Sequence, residues 1–212
     1  MDAKIAGIVI PDTALVREAT ELVREATDEL VFNHSRRVYL WGSLQGGRRG
    51  LVPDPELLYI GAMFHDLGLT SDYASPDQRF ELDGADAARA FLHDHGISEH
   101  DARNVWLGIA LHTTPGIPDR LDPEVALVTA GVETDVLGLG LDALTADEIA
   151  EVIEAHPRNG FKDGILHAFN NGMKSRPDTT FGTMNDDVLA HFDPTFVRVD
   201  FVDLINANTL PG

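Results

Sequence analysis

The dipeptide His65-Asp66 is the feature of this sequence that points most directly to chemistry. It ends a nearly unbroken apolar segment, LLYIGAMF, where burying two ionisable side chains without partners would be unfavourable. Gly68 follows closely and would let the backbone turn, so that both side chains converge on one point. Imidazole nitrogen and carboxylate oxygen together suit Zn²⁺, Fe²⁺ or Mn²⁺. We therefore predict a divalent metal site at this position.

Two further residues are placed to complete such a site from other helices. His34 lies upstream on its own predicted helix, and Asp135 lies downstream in the apolar segment ALVTAGVETDVLG. The ligands would then come from separate helices, as they do in the metal sites of helical bundles. Glu133 is the competing acid in that segment. We favour Asp135 because it falls on the helical period of the apolar positions.

The remaining histidines have weaker claims to a functional role. His93, His95 and His100 lie in a polar, acidic stretch typical of a solvated surface, and His191 has no metal-ligand signal around it. His112 ends a predicted helix. It either lines the pocket, where an unperturbed pKa near ~6.5 would let it move a proton, or forms a structural hydrogen bond with the backbone. A third alternative is a ligand of a second metal.

Composition restricts the partners and the ligand chemistry. The chain has 212 residues, enough for one large domain with its own core. Its net charge of −19 repels the phosphate backbone, so nucleic acid is excluded as a partner and a small uncharged or cationic substrate is favoured. The sequence contains no cysteine, so any metal must be bound through nitrogen and oxygen.

Hydrophobic periodicity predicts an all-α fold, with a single domain over residues 1–212 and no strand pair. Thr145 and Glu148 form a predicted capping box, and Ser98 with Asp101 marks another helix start. Loops are predicted at 44–54 and 68–81. The predicted helices cover residues 14–31, 34–42, 55–68, 84–96, 98 to 113 or 114, 123–138, 145–156, 159–174 and 185–206.

The ends of the chain indicate a cytoplasmic protein. The N-terminal segment MDAKIAGIVIPDT is too short in its apolar part, and too weakly basic, for a signal peptide. No stretch approaches the ~18 consecutive apolar residues that a membrane span needs. The amphipathic helix 14–31 and the C-terminal segment FVRVDFVDLINANTLPG could each pack on the domain or on a second subunit, so a homo-oligomer is one of two alternatives.

Several motifs together resemble the HD superfamily of metal-dependent hydrolases, and within it the cyanamide hydratase-like branch. The spaced histidine, the His-Asp dipeptide and the later aspartate resemble the superfamily, while the NHS-RV-WG and PR-GF elements resemble the branch. The resemblance covers about residues 30–183. The segments that carry it are NHSRRVYLWG (33–42), LLYIGAMFHDLGLT (57–70), RFELDGADAA (79–88), HPRNGFKDGILHAF (156–169) and KSRPDTTFG (174–182).

The resemblance implies a helical HD domain with a mononuclear site. It gives ligand roles to His34, His65, Asp66 and Asp135. Dinuclear relatives carry a further histidine before the glycine that opens the next helix, whereas this chain has Phe80 and Glu81 there. This departure predicts one metal ion, Zn²⁺ in the first place with Fe²⁺ or Mn²⁺ as alternatives. Glu81 would then accept a hydrogen bond from a ligand or a bound water.

The resemblance also implies a hydro-lyase that adds water to a small nitrile such as cyanamide, giving urea. Asp66 and His112 are the predicted catalytic residues, with His112 protonating the nitrile nitrogen. A small uncharged substrate fits the acidic composition of the chain. The residues predicted to line the substrate pocket are Phe80, Trp106, Phe161 and Arg36.

Two alternatives to the hydratase remain open at this stage. An HD-type phosphohydrolase would act on a nucleotide or another phosphomonoester, with Arg36 or Arg37 binding the phosphate. Related nucleotidases carry a glutamate three residues after the aspartate, where this chain has Leu69. A non-catalytic binding protein that keeps the metal site for stability is the other alternative.

Overall fold

The computed structural model describes residues 4–210, and the predicted single domain of residues 1–212 extends beyond them at both ends. Helices dominate the described residues, which confirms the all-α prediction. A short antiparallel pair, β1 (Lys4–Ile5) and β2 (Ile8–Val9), was not predicted. Ala6 and Gly7 both have positive φ, at 50° and 77°, as a two-residue hairpin turn requires.

Ten α-helices follow this hairpin in the described part of the chain. The capping box of Thr145 and Glu148 is present, and Ser98 caps its helix as predicted. The helices are α1 (Ala14–Ala26), α2 (Glu29–Arg49), α3 (Pro55–Phe64), α4 (Phe80–Asp94), α5 (Glu99–Ala110), α6 (Pro123–Leu137), α7 (Ala146–Ala155), α8 (Phe161–Met173), α9 (Asn185–Phe192) and α10 (Phe201–Asn206).

Helices α2 and α6 cross with their backbones in direct contact. A Cβ on Gly131 of α6 would lie 2.2 Å from the carbonyl oxygen of Val38, and one on Gly42 of α2 would lie 2.6 Å from that of Leu127. Only glycine permits such an approach. The two helices run antiparallel, so the first turns of α2 meet the last turn of α6, where two of the predicted metal ligands lie.

Helix α3 is buried along most of its length and carries the His-Asp dipeptide at its C-terminal end. Gly68 was predicted to let the backbone turn, and its φ is not positive. Gly68 instead permits close packing against α4, because a Cβ there would lie 2.1 Å from the carbonyl oxygen of Phe80. This contact fixes the segment after the dipeptide against the start of α4.

Several predicted helix boundaries were wrong. The predicted helix 14–31 is divided at residues 27–28, because Asp28 caps a new helix through the amide of Val31. The predicted loop after residue 43 belongs to α2, which continues to Arg49 and ends at the left-handed Gly50. Packing of Gly46 against Leu127 outweighs the weak helix propensity of its glycines. Helix α4 also begins earlier than predicted.

The predicted helix 185–206 is two helices, α9 and α10, separated by a segment that contains Pro194. Proline cannot continue a helix because it lacks the amide hydrogen. The apolar side chains of α10, among them Phe201 and Ile205, are exposed. Homo-oligomerisation through this segment stays a prediction. Among residues 4–210, no helix combines the length and the apolar character needed to cross a bilayer.

The close crossing of α2 and α6 can be tested with one methyl group. We expect Gly131→Ala to lower the free energy of unfolding by about 2 kcal/mol or more, since the methyl group would overlap the backbone of Val38. Urea denaturation monitored by circular dichroism measures the change.

Gly47 of α2 provides the matched control, because it is exposed and a Cβ there would meet nothing within 4 Å. Gly47→Ala should stabilise the protein by roughly 0.5–1 kcal/mol through helix propensity. Equal effects of the two substitutions would contradict the close crossing.

Candidate metal centre

Four buried side chains from three parts of the chain lie close together. His34 lies in the second turn of α2, His65 and Asp66 follow α3, and His112 follows α5. Their exposed fractions are 0%, 0%, 1% and 3%. Three of them, His34, His65 and Asp66, form a group whose ligand atoms lie within 4.8 Å of one another and could hold a metal ion.

The distances in this group match those between ligands of one metal ion. The Nε2 atoms of His34 and His65 are 3.1 Å apart, and each faces Oδ2 of Asp66, at 3.6 Å and 3.2 Å respectively. Two ligands bonded at ~2.0 Å to one tetrahedral metal lie roughly 3.3 Å apart. The side chains therefore already have the spacing that a divalent cation requires.

Asp135 orients His34 from the other side of the imidazole ring. Its Oδ2 lies 2.6 Å from Nδ1 of His34, which is the nitrogen that faces away from His65 and Asp66. The group that could hold a metal does not include Asp135. Asp135 therefore meets this group through the ring of His34, and its predicted ligand role stays a prediction.

The oxygens of Asp135 are also fully engaged by cationic and indole donors. Arg37 donates to both oxygens at 2.8 Å, Trp41 donates its indole N–H to Oδ1 at 2.9 Å, and Arg158 donates to the same oxygen at 2.7 Å. Burial raises the pKa of Asp135, but the hydrogen bond from His34 and the charge of Arg37 lower it well below its ordinary value. Glu133, the alternative acid, is half-buried near Asp119 and Arg49.

The electrostatics of the group depend on the negative charge of Asp66. Burial lowers the pKa of His65, but the charge of Asp66 outweighs it and leaves that pKa raised. Burial raises the pKa of Asp66, and the neighbouring His65 brings it well below its ordinary range. Burial lowers the pKa of His34, which favours a neutral ring.

His112 approaches Asp66 from the remaining side. Its Nε2 lies 3.7 Å from Oδ1 of Asp66, and its Nδ1 is held by the carbonyl oxygen of Ile109 at 2.6 Å. Burial lowers the pKa of His112 to about 4. Both carboxylate oxygens of Asp66 and Nε2 of His112 are buried without a hydrogen-bond partner. Such unpartnered atoms are rare in native interiors, and a cation between them would satisfy all three, so these residues fit a metal.

Glu81 belongs to a separate hydrogen-bond network and does not touch the ligand group directly. Its Oε1 accepts hydrogen bonds from Thr113, from Arg79 at 2.9 Å and from Asn185 at 3.0 Å. Burial raises the pKa of Glu81, but Arg79, His112 and Thr113 lower it below its ordinary value. The network ties α4 to the segment after α5 and to α9.

The predicted pocket residues separate into two sets. The ring of Phe161 lies 5.1 Å from that of His34, and the ring of Phe80 lies 5.6 Å from that of His112, so both aromatic rings flank the site. Trp106 is half-buried and donates to Asp86, away from the ligand group. Arg36 contacts Tyr59 and His156. The structure therefore does not bring Trp106 or Arg36 to the site.

Arg176 fixes the segment after the dipeptide. The motif KSRPDTTFG contains this arginine, but no role was predicted for it. Arg176 is buried, pairs with Asp83 and donates to the carbonyl oxygen of Gly68 at 2.7 Å. It also donates to the carbonyl oxygens of Ser75 and Gln78. The RP pair of KSRPDTTFG was the available signal, but sequence alone does not show which carbonyl groups an arginine will meet.

Removal of Asp66 tests the metal centre. Asp66→Ala should abolish tight binding of one equivalent of divalent metal, because it removes the one negative charge of the ligand group. His93→Ala serves as the control, since His93 is exposed and pairs with Glu99. Elemental analysis after dialysis against Zn²⁺ measures occupancy, and full occupancy of Asp66→Ala would contradict the assignment.

The depressed pKa of Glu81 predicts a pH dependence of stability. A carboxylate whose folded pKa is lowered contributes stability above its unfolded value of ~4.3 and loses it as the pH falls through the folded value. Glu81→Gln should therefore flatten the fall in the free energy of unfolding below about pH 4.3. Urea titrations between neutral and acid pH measure it.

Glu25→Gln, at an exposed position of α1, is the matched control for Glu81→Gln. It makes the same chemical change without disturbing a buried network. An identical acid profile for both variants would argue against a depressed pKa at Glu81.

Comparison with known families agrees with this geometry. The HD domain family model matches residues 31–131, a range that includes His34, His65, Asp66 and His112 and ends before Asp135. HD domains are associated with metal-dependent hydrolases, and the described ligand group has the chemistry that such enzymes need. Residues 31–131 of this all-α chain are therefore similar to the HD domain family.

Proposed function

We propose that this protein is a metal-dependent hydratase that adds water to a small uncharged nitrile such as cyanamide, giving urea, with Zn²⁺ as its metal. The observation that carries the proposal is the near-complete burial of the candidate metal centre. His34, His65, Asp66 and His112 have exposed fractions between 0% and 3%. A substrate of a few atoms suits such a site, whereas a nucleotide does not.

The surroundings of Phe161 favour a small substrate. This residue lines two surface cavities, of about 210 Å³ and about 330 Å³, and its ring lies 5.1 Å from that of His34. The smaller cavity lies below the range of about 300–1,000 Å³ that holds drug-sized ligands, and the larger lies at the bottom of it. Both volumes favour a small ligand over a nucleotide.

The arginines near the site support an uncharged substrate. Arg37 forms a two-point ion pair with Asp135, and Arg158 donates to the same carboxylate. Arg36 is engaged by Tyr59 and His156. A phosphomonoester carries close to two negative charges at neutral pH, and these arginines already have partners. The net charge of −19 also disfavours an anionic substrate.

The hydration of cyanamide consumes one water molecule. The water oxygen bonds to the nitrile carbon and one of its O–H bonds breaks, releasing a proton. One C–N π bond is lost, and its electron pair takes up a proton at the nitrogen. Tautomerisation of the resulting isourea gives urea. When bound, the metal would supply Lewis acidity, lowering the pKa of water to ~7 and polarising the substrate. His34, His65 and Asp66 would hold it, while the rings of Phe80 and Phe161 would exclude bulk water.

The source of the proton for the nitrile nitrogen was predicted from sequence to be His112. In this structure its Nδ1–H donates to the carbonyl oxygen of Ile109, so Nε2 carries a lone pair. His112 would need to be protonated before it could act as an acid, and burial lowers its pKa to about 4. A hydrogen on Nδ1, with a lone pair on Nε2, argues against His112 as the donor of this proton. Water is the alternative source of the proton.

Urea release from cyanamide tests the proposed function. Protein with confirmed metal content should produce urea, and His65→Ala should lose the activity because a ligand is removed. His93→Ala, altered at an exposed histidine, should retain wild-type turnover. A coupled urea assay provides the measurement.

The phosphohydrolase alternative is decided in the same experiment. Nucleoside monophosphates and p-nitrophenyl phosphate are assayed beside cyanamide with the same protein. Phosphate release that depends on His65, together with no urea above the His65→Ala background, would replace the hydratase with a phosphohydrolase. The metal centre itself would stand in either case.

A further inference from the structure

We propose that the C-terminal arm, residues 197–210, docks into a groove between α6 and α7 of a second copy of this chain, so that two copies exchange arms reciprocally. We call this cavity the α6–α7 groove. The residues that line it are Trp41, Thr134, Asp135, Val136, Leu137, Gly138, Leu141, Ile149, Ile153, Arg158 and Lys162.

The arm is an apolar segment that the rest of the described chain leaves uncovered. Every residue from 197 to 210 is exposed. Apart from the ion pair of Arg198 with Asp187, no hydrogen bond or ion pair joins the arm to the rest of residues 4–210. A contiguous exposed apolar surface marks an interaction site. The large hydrophobic residues of the arm are Val197, Val199, Phe201, Val202, Leu204, Ile205 and Leu210.

Helix α10 concentrates these apolar side chains on one face of the arm. Phe201, Leu204 and Ile205 follow the spacing i, i+3 and i+4, so they lie side by side. Their exposed fractions are 65%, 50% and 56%. Asp200 and Asp203 bring two carboxylates to the same short helix. The arm therefore offers an apolar anchor with negative charge beside it.

The α6–α7 groove offers an apolar surface of matching size. Its volume of about 430 Å³ lies within the range of about 300–1,000 Å³ for cavities that hold ligands, so it can accept several large side chains. Leu137 is 61% exposed, and Leu141, Ile149 and Ile153 are half-buried along its walls. Docking of the arm would remove both apolar surfaces from water.

The charges of the groove complement those of the arm. Lys162 is exposed, and no carboxylate of residues 4–210 lies within ion-pair distance of it. Asp135 is the one acidic residue of the lining, and Arg158 already pairs with it. The groove is therefore positive at its edge, in a chain whose net charge is −19. Asp200 and Asp203 of the arm supply the opposite charge.

A second copy of the chain is the partner that these two surfaces specify. Phe196, just before the arm, packs on a cluster that contains Met173 at the end of α8. Lys162 lies at the other end of α8, about 16 Å away, and no arm residue lines the groove of its own chain. One chain thus carries both halves of a self-complementary interface, as a two-fold exchange requires.

A reciprocal exchange would also be large enough for a stable dimer. Each copy would contribute the fourteen residues of its arm and the eleven that line its groove. Stable interfaces use about 20–30 residues from each partner.

Light scattering of the full chain tests the exchange. At micromolar concentrations the wild-type protein should have twice the mass of one chain. Phe201→Ala should raise the dissociation constant of the dimer at least about tenfold, because it removes the largest apolar anchor. Val52→Ala is the matched control, since Val52 is 87% exposed outside the arm and the groove, and it should keep the wild-type constant.

Charge reversal tests the groove as the docking site. Lys162→Glu and Asp203→Lys should each raise the dissociation constant at least about threefold, and combining them should restore it. Arg103→Glu, at an exposed position of α5, makes the same reversal elsewhere and should leave the constant unchanged. Circular dichroism verifies that each variant is folded.

A wild-type protein with the mass of one chain would overturn the proposal, and so would a dimer that Phe201→Ala leaves intact. A dimer weakened by Phe201→Ala but unchanged by Lys162→Glu would overturn the α6–α7 groove as the docking site. Neither metal nor substrate enters these measurements, so failure of the urea assay leaves them unaffected.

Discussion

The buried carboxylate of Asp135 is the group on which the rest of the site depends. It joins α6 to α2 through Arg37, Trp41 and His34, and it receives Arg158 from the segment before α8. A buried ion pair of this kind adds little net stability, but removing one partner leaves an uncompensated charge. The pair therefore fixes the register of the two helices, and with it the direction in which His34 presents Nε2.

Close backbone packing makes that register possible. The crossing of α2 and α6 relies on Gly42 and Gly131, and the contact between the segment after α3 and the start of α4 relies on Gly68. Each of these glycines lacks a side chain at a point where two backbones meet, so the segments that carry the candidate ligands can come close together. Arg176 then holds the segment after the dipeptide through its carbonyl groups.

The helical domain buries a polar cluster that is costly to desolvate. Asp66 and His112 bury atoms without hydrogen-bond partners, a cost that folding alone does not recover. A divalent cation would satisfy these atoms and would acquire the reactivity of a metal in a site of low dielectric constant. The same burial admits only small molecules to the site. It therefore agrees with the small substrate proposed for this protein.

The sequence by itself determined the helical class, the caps at Ser98 and Thr145, and the dipeptide at the centre of the site. These follow from local patterns: periodic apolar residues, side chains that bond their own helix, and ionisable groups placed in an apolar run. Helix boundaries were less predictable. Helix α2, for example, continues through Gly46 because that glycine packs on Leu127. Only the tertiary structure decided that Asp135 lies behind His34 and that His112 faces Asp66. Spacing along the chain identifies residues that share a helix face, whereas the atom that each side chain meets depends on how separate helices pack.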